Sequence, residues 1–89
     1  MSYRLEFAPD VKKQFKKMDK YQAALLTRWL YQNIYGTDNP REHGKALSAN
    51  RAGQWRYRIG NYRVIVEIEG ECLVVTAIQV GHKRNVYDR

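Results

Sequence analysis

Trp55-Arg56-Tyr57-Arg58-Ile59, Gly60-Asn61, Tyr62-Arg63-Val64-Ile65-Val66: two alternating runs stand on either side of a pair of turn residues. Alternation of apolar and charged side chains marks a half-buried strand, and a Gly-Asn pair between two such runs closes a hairpin. A two-residue loop fixes the register, so Ile59 faces Tyr62 and Arg58 faces Arg63. Trp55, Tyr57, Ile59, Tyr62, Val64 and Val66 then share one face, and Arg56, Arg58 and Arg63 share the other. Opposed arginines place their Cβ atoms about 5 Å apart, where like charges destabilise a sheet. No acid occurs between His43 and Val66 to offset them. Two readings fit this pattern. It is a site for a multiply charged anion such as a nucleic-acid phosphate, or it is a solvated basic face whose arginines splay apart or pair with Glu67 and remote acids.

Working outward, Tyr62 to Ile68 reads as the return strand, Glu69-Gly70-Glu71 as a second turn and Cys72 to Val80 as a third strand. At the other end, Tyr3-Arg4-Leu5-Glu6-Phe7 alternates as a strand does. Pro9 suits the first turn of a helix, and Asp10 complements its dipole. Val11, Phe15 and Met18 form one apolar face, and Lys12, Lys13, Lys16 and Lys17 occupy the others. Asp19 with Gln22 three residues on resembles a capping box. Leu26, Trp29, Leu30 and Ile34 make the stripe of a second helix that Gly36 ends. So short a link packs the two helices as an antiparallel hairpin. From Thr37 to Gly53 periodicity disappears, and Asp38-Asn39-Pro40, Gly44 and Gly53 mark a long connection carrying His43, Lys45 and Arg51. Loops of that length in small domains are more often functional than idle. His43 reads as a plain surface histidine.

The chain has 89 residues, 44% of them apolar and 12% aromatic, enough for one core and too few for a second domain. Sixteen Lys and Arg against nine Asp and Glu give a formal charge of +7. Such a surface attracts polyanions: nucleic acid, an acidic protein segment or an anionic membrane. The single cysteine, Cys72, excludes an internal disulfide and a cysteine-based zinc site, and it reads as a small buried thiol. Two separated histidines make no metal site, so no cofactor is expected. No stretch has signal-peptide or membrane-span character, and a soluble cytoplasmic protein with no membrane partner is expected.

The tail adds His82, Lys83 and Arg84 just past the last strand, then Tyr87. His82 is a candidate proton donor or acceptor near neutral pH. Tyr87 can stack on a base, or simply anchor a loose tail. No Gly-rich phosphate loop and no nucleophile motif is present. Metal-free RNA cleavage is the reaction these residues suit. It needs removal of the 2′-hydroxyl proton, stabilisation of a dianionic phosphorane and protonation of the 5′-oxygen. Guanidiniums serve the second need. They serve the first badly, because Arg stays protonated.

Gly44-Lys45-Ala46-Leu47, the hairpin Trp55 to Ile65 and Val80-Gly81-His82-Lys83-Arg84-Asn85-Val86-Tyr87 together resemble the RelE-type toxins of the RelE/ParE toxin–antitoxin superfamily. The resemblance implies one α+β domain over residues 1–89, with an N-terminal strand and helical hairpin packed on a mainly antiparallel sheet. It implies an mRNA interferase that cuts messenger RNA in the ribosomal A site without metal. It also implies a cognate antitoxin, RelB-like and acidic, that holds the toxin inactive. Arg56 and Arg58 stand where the best-studied branch has two lysines that help activate the 2′-hydroxyl and stabilise charge. Arg63 matches an arginine on the scissile phosphate, Lys83 the proposed general acid, and Tyr87 a tyrosine near the terminus. His82 is a substitute acid, since other branches use a tail histidine. Lys12, Lys13, Lys16, Lys17, Lys45, Arg51 and Arg84 would bind RNA of the ribosome. On the same scaffold a ParE-like inhibitor of DNA gyrase is the alternative, and a non-catalytic binding module the third.

Overall fold

The hairpin forms in the register its loop dictates. β3 (Gln54–Ile59) pairs antiparallel with β4 (Tyr62–Glu69), with Ile59 opposite Tyr62 and Arg58 opposite Arg63. Gly60 takes φ +59° and no described non-glycine residue has positive φ, which is the signature of a II′ turn. The computed structural model describes residues 2–47 and 53–80. Gly70 repeats the device, also at φ +59°. The second turn is therefore two residues, and Glu69, expected within it, instead ends β4 opposite Cys72 of β5 (Cys72–Val80). The β4–β5 register shifts at Ile65/Val66, leaving Thr76 as the extra residue of a bulge. Its hydroxyl donates to the Ile65 carbonyl at 3.3 Å.

The remaining strands flank this meander. β1 (Arg4–Phe7) lies parallel to β5, and β2 (Lys45–Ala46) lies antiparallel to β3, giving the order β1-β5-β4-β3-β2. A strand and a short 3-10 turn at Pro40–Glu42 therefore occupy part of the segment read as a long connection without periodicity. Two residues of strand are too few to show an alternating pattern, so only tertiary pairing reveals them.

α1 (Pro9–Lys17) and α2 (Lys20–Asn33) cover one face of the sheet. Asp19 caps α2, its carboxylate accepting from the Gln22 amide at 3.1 Å. Val11, Leu26, Leu30 and Ile34 meet Tyr57, Ile59, Val64 and Val66 in one core, with Phe15, Met18, Trp29, Trp55 and Tyr62 packed around it. Period two also explains Cys72, expected to be buried. Leu73 and Val75 point into the core, so Cys72 falls on the opposite face and is half-buried. Gln14 of α1 fastens the layers. Its side-chain amide donates to the Ile78 carbonyl at 2.9 Å and accepts from the Ile78 amide at 3.3 Å, acting as a stub of strand where β1 has ended.

Candidate nucleic-acid interface

The face of the sheet away from the helices carries the arginines. Lys45 pairs with Arg56 across β2–β3, and Arg58 with Arg63 across β3–β4, so all four cations stand on that face. Arg58 and Arg63 are exposed and Arg56 is half-buried. In a two-residue hairpin the closing pair, Ile59 and Tyr62, exchanges the hydrogen bonds. Arg58 and Arg63 are then a non-hydrogen-bonded pair, the type in which side chains approach closest. Glu67, the acid offered as their partner, lies farther along β4 opposite Gln54. It accepts from the Gln54 amide at 3.3 Å. The ion pair found among the described residues is Arg4–Glu6, at the far edge, at 3.9 Å and exposed. Glu67 shares the arginine face, but no described acid forms an ion pair with Arg56, Arg58 or Arg63.

The edge beside these cations holds a cleft of about 270 Å³ lined by Trp29, His43, Gly44, Lys45, Arg56 and Arg58 over the Tyr57 ring. His43 belongs to this cleft instead of lying free on the surface. Its ring meets Trp29 edge-on at 5.4 Å, and its carbonyl accepts from the Trp55 indole at 2.5 Å. Next to it the Tyr57 hydroxyl donates to the Pro40 carbonyl at 2.5 Å, and the Arg41 guanidinium stands 5.7 Å from the Trp55 ring centre. Burial pushes the Tyr57 hydroxyl well above the usual tyrosine range, against a smaller opposing pull from Arg41. The strap from Pro40 to His43 is pinned to β3 at two points. Gly44 completes the approach at φ +79°, where a Cβ would run into the Arg56 carbonyl. The sequence signal for this cleft is the His43-Gly44 pair: a glycine that ends an irregular segment just before a strand marks close backbone contact.

Of the residues expected to act, the structure brings together Arg56, Arg58, Arg63 and Lys45. Lys12, Lys13, Lys16 and Lys17 are all exposed on α1, in the helical layer across the sheet from the arginines. They form a second basic surface. Arg51, His82, Lys83, Arg84 and Tyr87 lie outside the described residues. β5 ends at Val80, in register with Tyr62 and next to the Arg63–Gln79 pair. Among the described residues no three His, Cys, Asp or Glu side chains converge as a metal-binding group, and no helix is long and apolar enough to cross a membrane.

Comparison with known proteins agrees with this architecture. The family model for the ParE toxin of the type II toxin–antitoxin system parDE matches residues 5–87. Toxin RelG of Mycobacterium tuberculosis is 25% identical over 89 residues, the full length of both chains. The toxin–antitoxin complex RelBE2 from Mycobacterium tuberculosis contains a chain that superposes with a TM-score of 0.77 at 20% identity, over 90% of this chain and 99% of that one. The RelB–RelE antitoxin–toxin complex from Methanococcus jannaschii gives 0.55 at 21% identity, over 93% and 95%. A strand, two helices and a five-stranded, mostly antiparallel sheet, matched by sequence over nearly the whole chain, place this protein in the RelE/ParE superfamily of type II toxins.

Proposed function

We propose that this toxin is a ribosome-dependent endoribonuclease that cuts messenger RNA in the A site. The observation that carries the reading is the Arg58–Arg63 cross-strand pair, extended by Arg56 and Lys45, with no ion pair from these four to a described acid. In the reaction the 2′-oxygen bonds to phosphorus while the bond to the 5′-oxygen breaks, leaving a 2′,3′-cyclic phosphate and a 5′-hydroxyl. Arg63 and Arg58 grip the phosphate and offset the charge that grows on its oxygens, and Arg56 supports them from the same face. The chain's own cations supply that charge, so no metal is needed. Arginine holds its proton too tightly to act as base. Proton transfers fall to His82 and Lys83, with Tyr87 on the substrate, and the ribosome arranges the attacking oxygen.

A second reading is supported by the family model, which describes a ParE toxin. On it the same basic surface holds DNA gyrase and performs no chemistry. Under either reading a cognate RelB-like antitoxin with an acidic, amphipathic segment covers the basic face until released, as the relatives solved as RelB–RelE pairs imply.

Primer extension on ribosomes carrying a defined mRNA tests the proposal. The wild type is expected to leave codon-positioned cuts, and Arg63→Ala is expected to abolish them while keeping the thermal midpoint of the wild type. Undiminished cutting by Arg63→Ala, or gyrase-linked DNA breaks with an SOS response and no mRNA cuts on induction, refutes it.

A further inference from the structure

We infer that the cleft at the β2–β3 edge is a nucleobase subsite, receiving the base of a nucleotide adjacent to the phosphate that the arginines hold. The inference deepens the RNA reading above and rests on RNA being the ligand.

Three features of the cleft converge on a flat, polar-edged ring. Its volume, about 270 Å³, lies below the roughly 300–1,000 Å³ of pockets for drug-sized ligands and suits a single ring system. Its wall is aromatic: the half-buried His43 and Trp29 meet edge-on at 5.4 Å, and the fully buried Tyr57 ring supports Trp29 from beneath at the same separation. Single-stranded RNA is read by turning bases out onto such surfaces.

The third feature is a main-chain donor and acceptor. Because Ile59 bonds inward to Tyr62, alternation turns the N–H and C=O of Arg58 toward the β2 side. The β2 ladder covers Arg56 and Trp55 only, and no described backbone group pairs with Arg58 on that edge. Arg58 lines the cleft. One residue thus offers its guanidinium to a phosphate on the outer face and its peptide groups to a base at the edge. Adjacent groups of one nucleotide strand span that same corner. The strap keeps the corner open, since Trp55 and Tyr57 hold the carbonyls of His43 and Pro40.

The test measures binding of a short 2′-O-methyl oligoribonucleotide, which cannot be cleaved, by fluorescence anisotropy. Versions lacking one base at successive positions are compared with the intact strand. For the wild type, removing one particular base is expected to weaken binding about tenfold. His43→Ala is expected to bind intact and base-less strands within about twofold of each other, and His43→Phe, which keeps an aromatic wall, to recover most of the discrimination. Equal affinity of the wild type for intact and base-less strands, or no measurable binding, overturns the subsite. So does discrimination that survives in His43→Ala. The nuclease reading fails separately, if the wild type discriminates bases here yet leaves mRNA on ribosomes uncut.

Discussion

At Gly44 the backbone is left-handed, at φ +79°, and its α-carbon faces the Arg56 carbonyl, the Trp55 indole and the Tyr57 ring. A methyl group there carries a conformational penalty of about 1–2 kcal/mol and a collision with backbone that cannot move aside. Gly44→Ala is expected to lower the thermal midpoint by on the order of 10 °C and to weaken base discrimination with it. Gly70→Ala, at another glycine of positive φ with nothing near its α-carbon, supplies a control without the collision. Tyr57 carries a different kind of information. It is fully buried, donates to Pro40 and has its pKa raised by desolvation. A raised pKa stabilises the fold fully below the unfolded value, near 10 for tyrosine, and that contribution is lost as pH climbs toward the folded value. From about pH 10 upward, stability is expected to fall by about 1.4 kcal/mol per pH unit from this group. Tyr57→Phe loses roughly 1–2 kcal/mol at neutral pH through the orphaned carbonyl, yet declines less steeply in alkali. Denaturant titrations of both proteins from pH 9 to 11 check the sign.

Strand β3 is the element on which stability and function pull apart. Its Arg56 faces Lys45 and its Arg58 faces Arg63, two like-charged pairs in succession. Relieving one is expected to help the fold. Arg58→Thr removes the repulsion, adds a β-branched residue and is expected to raise the thermal midpoint by about 2–4 °C, an effect of about 0.5 kcal/mol. The same variant is expected to cut mRNA at least about tenfold more slowly on programmed ribosomes; equal or faster cutting would mean that the pair serves no anion. β3 also marks the boundary of what the amino-acid order reveals. Its register, its turn and its two faces follow from alternation between Trp55 and Val66, because a hairpin with a two-residue loop is decided by neighbours in sequence. The cap at Asp19 and the stripe from Leu26 to Ile34 are local in the same sense. β2, the Pro40–His43 strap and the cleft depend on hydrogen bonds from Tyr57 and Trp55 to residues seventeen and twelve positions earlier, Pro40 and His43. No periodicity records such bonds. That is why His43 reads as an idle surface residue in sequence and stands in the candidate site in the fold.

Among the described residues, two clusters of cations stand on opposite sides of one sheet, the lysines of α1 and the arginines of β3 and β4. The arginine face is built on paired strands and held rigidly by the core beneath it. The lysines of α1 project from the exposed face of an amphipathic helix on four long, flexible stems, which suits a diffuse grip on a large polyanion better than the geometry of a reaction. If the proposed nuclease holds the ribosome through α1 and the scissile phosphate through the sheet, substitutions on the two surfaces must act on different constants. Replacing Lys12, Lys13, Lys16 and Lys17 together by Gln preserves helix propensity and leaves Val11 and Phe15 in the core. This variant is expected to raise the apparent KM for programmed ribosomes with little change in the single-turnover rate at saturation. The slope of log affinity against log salt is expected to become shallower by about 3, since each phosphate no longer neutralised lowers it by roughly 0.7–0.9. Arg63→Ala is expected to do the reverse, collapsing the single-turnover rate while lowering the slope by about one phosphate's share. Identical behaviour of the two variants in both measurements would mean that a single continuous surface meets the ribosome. For that, the ribosomal RNA would have to reach around an edge of the sheet, since β5, β4 and β3 separate the α1 layer from the arginines.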